Sequence, residues 1–290
     1  MTFPFGGEPC VAKSPRFAIL PVPYERTTTY RKGTAQGPAA LLAASGQVEL
    51  FEEETELRPL DAGVLTLDPV CEEGMPDMLA PRIEGICAGQ LGEGRIVGLL
   101  GGEHSISLGA IRAAARRHGG LGILQIDAHP DLRDSYEGTR YGHGCVMRRA
   151  LDDPRVGRLV QVGLRAISPE DDAAMRGDTR IRPFRACDLF GQPPARWIAD
   201  VVDALPERVY LTFDLDGLDP SVIPGTGTPE PGGLGWWEAL ALLREVCLRR
   251  DVVAFDVVEL LPEPPSAISD FAAAHLVFKI LAYLQKRPGR

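Results

Sequence analysis

The stretch that most constrains the fold of this chain reads LGILQIDAHPD and occupies residues 121–131. Its apolar first half predicts a buried strand of a parallel sheet, because such strands are covered on both faces. Ligands of open α/β sheets bind beyond the carboxyl ends of the strands, where Asp127, His129 and Asp131 follow. On an extended chain these alternate side chains point to one side, although Pro130 distorts the last step. Two carboxylates and an imidazole suit manganese, iron, cobalt or zinc, and the alternative is a helix cap followed by a polar loop.

Short apolar runs alternate along the chain with segments of helical periodicity. The runs predict strands at residues 17–23, 95–100, 121–126, 159–164, 209–213 and 252–258, and a short strand near Leu65. Helices are predicted from Pro38 and at residues 77–91, 104–118, 146–151, 169–175, 236–248 and 269–283. We expect residues up to 14 to be loosely ordered, residues 217–235 to be irregular, and the acidic stretch 52–56 to lie on the surface. The alternation predicts an α/β fold, with a mostly parallel sheet between helices, in a single domain over residues 1–290.

The composition limits the class of protein. Hydrophobic residues make up 44% and charged residues 24% of the chain, as in ordinary globular proteins. The net charge of −9 argues against a nucleic-acid-binding surface and mildly favours cationic partners. The six cysteines show neither CxxC pairs nor regular spacing, which indicates reduced thiols. There is no signal-peptide pattern and no apolar run of membrane-spanning length, so we expect a cytoplasmic protein that binds neither membrane nor nucleic acid.

Polar residues follow four of the predicted strands at the point where each strand ends. The strings are GGEHS at 101–105, DAHPD at 127–131, DLDGLDP at 214–220 and DVVE at 256–259. Parallel strands bring their carboxyl ends to one edge of the sheet, so these residues are expected to meet there. The strong metal ligands among them are His104, Asp127, His129, Asp131, Asp214 and Asp216. So many carboxylates would repel one another in a cleft, and a pair of divalent ions bridged by carboxylates removes that cost.

These strings make the sequence resemble the ureohydrolases, the superfamily of arginases and agmatinases. The matching strings are GGEHS, DAHPD, DVVE and the longer DLDGLDPSVIPGTGTPEPGG at 214–233. Two others, PYERTTTYRKGTAQGP near the amino terminus and DLRDSYEGTRYGHGCVMRRA at 131–150, are more similar to agmatinases than to arginases. The resemblance implies a three-layer α/β/α domain with a parallel sheet of about eight strands. It also implies a homo-oligomer, a trimer or a hexamer.

The resemblance further implies a binuclear centre with two Mn²⁺ per subunit. Asp127 and Asp214 would bridge the two ions. His104 and Asp131 would complete the first site, and His129 and Asp216 would complete the second.

Three residues are expected to act on the substrate. Glu259 follows a strand of valines, where a charge is costly unless it meets a partner, and a carboxylate forms a two-pronged pair with a guanidinium group. The alternative is that Glu259 pairs with an arginine of the protein. By resemblance, Asp131 gives a proton to the departing amine and His143 is the proton shuttle and a substrate contact. Glu103 departs from the family, where many relatives have Asp, and Gly142 stands where agmatinases often have Ser.

The expected function is metal-dependent hydrolysis of a small cationic guanidino compound to urea and an amine. Agmatine, which gives putrescine for polyamine biosynthesis, is the first choice of substrate. N-aminopropylagmatine is the nearest alternative, followed by arginine and guanidino acids. Arginine ranks lower because the loop from Asp131 to His143 resembles that of agmatinases, and because its α-amino and α-carboxylate groups would need dedicated polar partners. The alternative from another class is a relative that has kept the fold and lost catalysis, although such proteins usually lose metal ligands.

Overall fold

An eight-stranded sheet forms the middle of the protein in the computed structural model, which describes residues 3–287. The predicted domain extends to residues 1–2 and 288–290, which lie outside the described residues. The strands are β1 (Phe17–Val22), β2 (Val64–Thr66), β3 (Ile96–Gly101), β4 (Leu121–Ile126), β5 (Val156–Leu164), β6 (Ile181–Arg185), β7 (Arg208–Asp214) and β8 (Asp251–Val258). Their spatial order is β2-β1-β3-β8-β7-β4-β5-β6, and every neighbouring pair is parallel.

Helices cover both faces of this sheet. They are α1 (Gly37–Ser45), α2 (Pro76–Gly92), α3 (Ser107–His118), α4 (Val146–Leu151), α5 (Pro169–Gly177), α6 (Ala186–Leu189), α7 (Pro194–Ala204), α8 (Trp236–Arg249) and α9 (Ile268–Lys286). One hydrophobic core joins the sheet to α1, α7, α8 and α9, and a second joins its other face to α2, α3 and α4. The predicted three-layer α/β/α class with a parallel sheet is therefore confirmed.

Three regular elements between residues 181 and 204, namely β6, α6 and α7, were not predicted from the sequence. The edge strand β6 reads IRPFR, and its proline and two arginines hide the apolar alternation that identifies a strand. Proline is tolerated there because one side of an edge strand has no partner in the sheet. The helix α7 does carry a signal, since Trp197, Ile198, Val201 and Val202 recur at helical spacing and are buried.

The amino-terminal segment is better ordered than predicted. Residues Phe5–Gly7 form a 3₁₀ turn, and the Phe5 ring is fully buried in the core beside α1. The Phe5 amide donates to Thr66 Oγ1 at 2.9 Å, and the Gly6 amide donates to Ser45 Oγ at 2.9 Å. One aromatic anchor and two hydrogen bonds therefore hold a segment whose composition alone indicates a loose end.

The prediction that residues 52–56 form an acidic surface is wrong for Glu52, which is fully buried. Lys279 of α9, also buried, donates hydrogen bonds to Glu52, to Glu53 Oε1 at 2.8 Å and to Glu54 Oε1 at 2.9 Å. The Tyr283 hydroxyl donates to Glu54 Oε1 at 2.8 Å. The acidic run is thus the partner of the buried Lys279 ammonium group. The burial of Glu52 is explained only by this cation, which lies more than 220 residues away in the chain.

No helix within residues 3–287 is both long enough and apolar enough to cross a bilayer.

Candidate metal centre and active site

The four strands that end in polar strings are neighbours at the centre of the sheet, in the order β3-β8-β7-β4. Their carboxyl ends therefore place the six predicted ligands along one edge, as the sequence indicates. The chain after β4 is not extended, however, because the strand stops at Ile126 and Asp131 has a φ of 54°. The predicted alternation of side chains is wrong there, and Asp127, His129 and Asp131 converge through a turn instead. His104 likewise begins a 3₁₀ turn that precedes α3.

The first group of ligand-type atoms surrounds the imidazole of His104. Ligand atoms of His104, Asp127 and Asp131 all lie within 4.8 Å of one another, and all three side chains are buried. His104 Nδ1 is 3.0 Å from Asp131 Oδ2, 3.2 Å from Asp127 Oδ2 and 3.4 Å from Asp214 Oδ2. One nitrogen facing three carboxylates offers a divalent cation four ligand atoms.

A second group shares Asp127 with the first. Ligand atoms of Asp127, His129 and Asp216 lie within 4.8 Å of one another. His129 Nδ1 is 3.0 Å from Asp216 Oδ2 and 3.6 Å from Asp127 Oδ1, so the two oxygens of Asp127 face different groups. Two overlapping sites with a common carboxylate are the arrangement that binuclear centres use.

The hydrogen bonds of His104 fit a metal ligand. Its Nε2 lies 2.7 Å from Thr212 Oγ1, and that hydroxyl donates to Asp256 Oδ1 at 2.7 Å. A hydroxyl has one proton, so Thr212 must accept from His104, and His104 therefore carries its proton on Nε2. The buried Nδ1 faces the three carboxylates. Burial alone would lower the pKa of His104, but hydrogen bonds to Asp127, Asp131 and Asp214 raise it well above its usual value, so metal-free Nδ1 holds a proton. A cation between these groups would take the place of this proton.

The charges of the cluster also favour a bound cation. Burial and the charge of Asp127 raise the pKa of Asp131 to about 7. Burial together with the charges of Asp216 and Asp127 raises the pKa of Asp214 well above its usual range. Burial alone would lower the pKa of His129, but the charge of Asp216 and hydrogen bonds to Asp127 and Asp216 raise it to about 12. Without a cation the cluster therefore retains protons, and metal binding has to displace them.

Glu259 lies beside the first group at the end of β8. Its backbone has a φ of 65°, a conformation that is uncommon for glutamate, and its amide donates to Gly102 O at 2.8 Å. Oε1 accepts from the His104 amide at 2.7 Å. The side chain is 8% exposed, and burial raises its pKa. None of the arginines in residues 3–287 forms an ion pair with it, so the alternative of a pair with a protein arginine is wrong.

His143 lines the same cavity from the start of a 3₁₀ turn, His143–Cys145. Its ring packs edge-on against Tyr136, with 5.8 Å between the ring centroids, and burial lowers its pKa. The neighbouring Gly142 lies against Thr27 and Thr139, where a Cβ atom would be 3.1 Å from each. The glycine therefore lets Thr27 approach His143 closely.

The cavity at this edge has a volume of about 220 Å³. Five of the six ligands, together with His143 and Glu259, line it. Asp127 lies beneath, fully buried. The outer wall is formed by Thr228, which the sequence suggests as a pocket residue, and by residues that were not predicted to belong to the site: Thr28, Thr29, Tyr30, Arg31, Arg133, Tyr136, Gly144, Ala166, Asp171 and Gly227.

A row of polar side chains beneath the centre was not predicted from the sequence. Gln161, Gln125, Thr212 and Asp256 are in register on the adjacent strands β5, β4, β7 and β8. Gln125 Nε2 donates to Asp127 Oδ2 at 2.7 Å, and Gln161 Nε2 donates to Gln125 Oε1 at 2.6 Å. The signal was present, because each residue is a single polar position inside an apolar run. Such partners fix the orientation of metal ligands.

We expect the Thr212→Val variant to bind Mn²⁺ about 10- to 100-fold more weakly, the usual cost of losing a partner behind a ligand. Valine removes the acceptor for His104 Nε2–H and the donor to Asp256, so the imidazole loses its fixed orientation. Titration with Mn²⁺ by calorimetry measures the affinity. Thr212→Ser keeps the hydroxyl and should bind within about threefold of the parent chain, and equal affinity for all three proteins would contradict the assignment.

Comparisons with known proteins agree with this geometry. The model of the arginase family matches residues 15–282. The N(1)-aminopropylagmatine ureohydrolase of Synechocystis sp. is 38% identical over 274 residues, which cover 91% of this chain and 88% of that protein. The structure of the agmatine ureohydrolase of Thermoplasma volcanium superposes with a TM-score of 0.84 at 29% identity, covering 94% of this chain and 91% of that one. Proclavaminate amidino hydrolase from Streptomyces clavuligerus gives a TM-score of 0.87 at 28% identity, covering 98% and 97%. The chain therefore belongs to the arginase family of ureohydrolases.

Proposed function

We propose that the protein hydrolyses a guanidino amine to urea and the corresponding amine, with agmatine giving putrescine as the first choice. The observation that supports this most is the pair of overlapping ligand groups sharing Asp127, with Glu259 beside them in one cavity. We further propose that His104, Asp127, His129, Asp131, Asp214 and Asp216 hold two Mn²⁺. Two divalent cations at such a centre lower the pKa of a water molecule so that it becomes a nucleophile near neutral pH.

The side chains of the cavity supply the remaining steps. Glu259 accepts hydrogen bonds from the guanidinium group and orients its planar carbon toward the centre, because a carboxylate matches the guanidinium fork. Asp131, whose Oδ2 lies 3.0 Å from His104 Nδ1 at the centre, gives a proton to the departing amine. His143 carries protons between the centre and solvent, a role for which an imidazole lining the cavity is suited because it can both accept and donate a proton.

Two other substrates each have an observation in their favour. The Synechocystis relative named for N(1)-aminopropylagmatine is 38% identical to this chain. A guanidino acid is favoured by Arg31 and Arg133, which line the outer cavity. Both arginines are already partnered: Arg31 Nη2 lies 2.6 Å from Glu263 Oε1, and Arg133 lies over the Tyr136 ring and 3.9 Å from Asp171 Oδ2. The positive charge of both arginines is therefore largely balanced by these contacts. A guanidino amine remains the preferred substrate over a guanidino acid. The single domain, the trimer or hexamer and the cytoplasmic location stay predictions.

Urea release from agmatine, N(1)-aminopropylagmatine, arginine and 4-guanidinobutyrate, at matched concentrations with Mn²⁺, tests the proposal. We expect agmatine to give the highest kcat/KM, with N(1)-aminopropylagmatine next. Fastest turnover of arginine or of the guanidino acid would overturn the choice of a guanidino amine. No urea from any of them would favour the non-catalytic alternative.

The Glu259→Gln variant tests how the guanidinium group is held. Glutamine keeps the shape and loses the charge, and loss of a buried charge pair costs about 2–5 kcal/mol, or about 30-fold or more in kcat/KM. Glu259 belongs to neither ligand group, so the Mn²⁺ content should stay that of the parent chain. Unchanged kcat/KM with unchanged metal content would show that the guanidinium group binds elsewhere.

A further inference from the structure

Glu103 fastens the loop at residues 24–37 to the end of β3. The Glu103 side chain is fully buried, and its own amide donates to Tyr24 O at 2.9 Å. Oε2 accepts from the amides of Arg26 and Thr27, both at 2.6 Å. Oε1 accepts from Thr27 Oγ1 at 2.6 Å and from Ser105 Oγ at 2.5 Å. Four donors on one carboxylate fix the position of Thr27.

The hydroxyl of Thr27 has two further neighbours, and both belong to His143. The His143 amide donates to Thr27 Oγ1 at 3.1 Å, and His143 Nδ1 lies 3.2 Å from the same oxygen. A hydroxyl has one proton and two lone pairs. The proton goes to Glu103, which as a carboxylate only accepts, and one lone pair takes the His143 amide. The remaining lone pair can only accept, so the proton between Thr27 and His143 resides on Nδ1.

We propose that Thr27, held by Glu103, is a positioning residue that fixes the Nδ1–H tautomer of His143. This inference rests on the proposed function, in which His143 moves protons. The tautomer leaves Nε2, on a ring that lines the cavity, as an acceptor with a free lone pair. A proton lost by water at the centre can then pass to Nε2 and from Nε2 to solvent, while Nδ1–H stays on Thr27. The opposite tautomer has no lone pair to offer at Nε2.

The length of the Glu103 side chain also contributes to the positioning of Thr27. Gly102 brings the loop very close to the strand end, because a Cβ atom there would be 2.0 Å from Tyr24 O. Glu103 then reaches past this contact to residues 26 and 27 with both of its oxygens. Aspartate is shorter by one methylene group, so we expect Glu103→Asp to lose part of this set of bonds and to hold Thr27 less firmly.

Kinetics of Thr27 variants give the first test. Thr27→Val keeps the shape of the side chain and removes the hydroxyl. We expect kcat to fall about 10- to 100-fold, because general acid–base catalysis accelerates a reaction about 10²–10⁴-fold and a His143 in the wrong tautomer loses part of this acceleration. KM should change less than about threefold, because Glu259 and the metal centre still bind the guanidinium group. Thr27→Ser retains the hydroxyl and should restore kcat to within about threefold of the parent chain. Thr34→Val is the matched control, since Thr34 is buried in the same loop and its hydroxyl has no hydrogen-bond partner among the described residues.

Nitrogen NMR of histidine-labelled protein, loaded with diamagnetic Zn²⁺, gives the second test and needs no substrate. The chain has five histidines, and His143→Asn identifies the resonances of His143. We expect a protonated Nδ1 and an unprotonated Nε2 in the parent chain and in Thr27→Ser, and loss of this pattern in Thr27→Val. A protonated Nε2 in the parent chain, or an unchanged pattern in Thr27→Val, overturns the inference.

Should Thr27→Val fail to fold, Glu103→Gln replaces it, because an amide nitrogen facing the two loop amides breaks the same set of bonds. A chain that releases no urea but shows the expected tautomer would refute the proposed function alone.

Discussion

The Asp127→Ala variant is expected to release urea about 10³-fold or more slowly than the parent chain, because cation-assisted attack is worth several kcal/mol. Asp127 belongs to both ligand groups, and its two oxygens face different imidazoles. Its loss therefore weakens both sites together. Metal analysis after dialysis should find far fewer than two Mn²⁺ per chain.

Thermal unfolding separates loss of metal from loss of fold in this variant. Free metal at 100 times its Kd stabilises the parent chain by about 2.7 kcal/mol. Chelation should therefore lower the Tm of the parent chain by about 5–10 °C and leave the Tm of Asp127→Ala nearly unchanged. Asp203→Ala is the matched control, because Asp203 is exposed and pairs only with Arg249 among the ion pairs found. Full activity in Asp127→Ala would remove the basis for a binuclear centre.

The Lys279→Met variant is expected to lose about 3–5 kcal/mol of unfolding free energy, the cost of breaking a buried ion pair from one side. Methionine fills the space of the lysine stem but leaves the carboxylate of Glu52 buried without its cation. Chemical denaturation at pH 7 measures the difference. The Glu52→Gln, Lys279→Met double variant should recover part of the loss, because no uncompensated charge is then buried.

Acid should reduce this difference between Lys279→Met and the parent chain. Burial alone would raise the pKa of Glu52, but hydrogen bonds from Lys279 and Thr55 lower it to about 2. A carboxylate whose folded pKa lies below its unfolded value of about 4.3 adds stability above that value and loses it as the pH falls toward 2. Lys286→Met, on the same helix but exposed, should cost less than about 0.5 kcal/mol. A Lys279→Met variant as stable as Lys286→Met would show that the buried pair contributes nothing.

Elements with one strong local signal were predicted well from the sequence. Strands such as β4 and β8 are mainly apolar, and the residues after them are carboxylates and imidazoles that few other roles explain. These residues meet because parallel strands end at a common edge of the sheet. The structure places β3, β8, β7 and β4 side by side.

Features that depend on distant partners could not be predicted in the same way. The burial of Glu52 needs Lys279, and the role of Thr27 needs both Glu103 and His143. The turn at Asp131 requires a positive φ, which propensities rarely indicate for aspartate. The row from Gln161 to Asp256 could have been recognised, since it needs only the register of adjacent strands and one polar residue in each.

The place of β8 in the sheet has a consequence for how the protein is synthesised. Of the eight strands within residues 3–287, β8 leaves the ribosome last, yet it lies between β3 and β7 and joins two groups of strands made earlier. Until it emerges, β3 and β7 each present an open apolar edge, and open edges recruit other chains. The strand carrying His104 also stays apart from those carrying the other ligands. We therefore expect nascent chains that end before residue 251 to need chaperone protection and to be unable to assemble the metal centre.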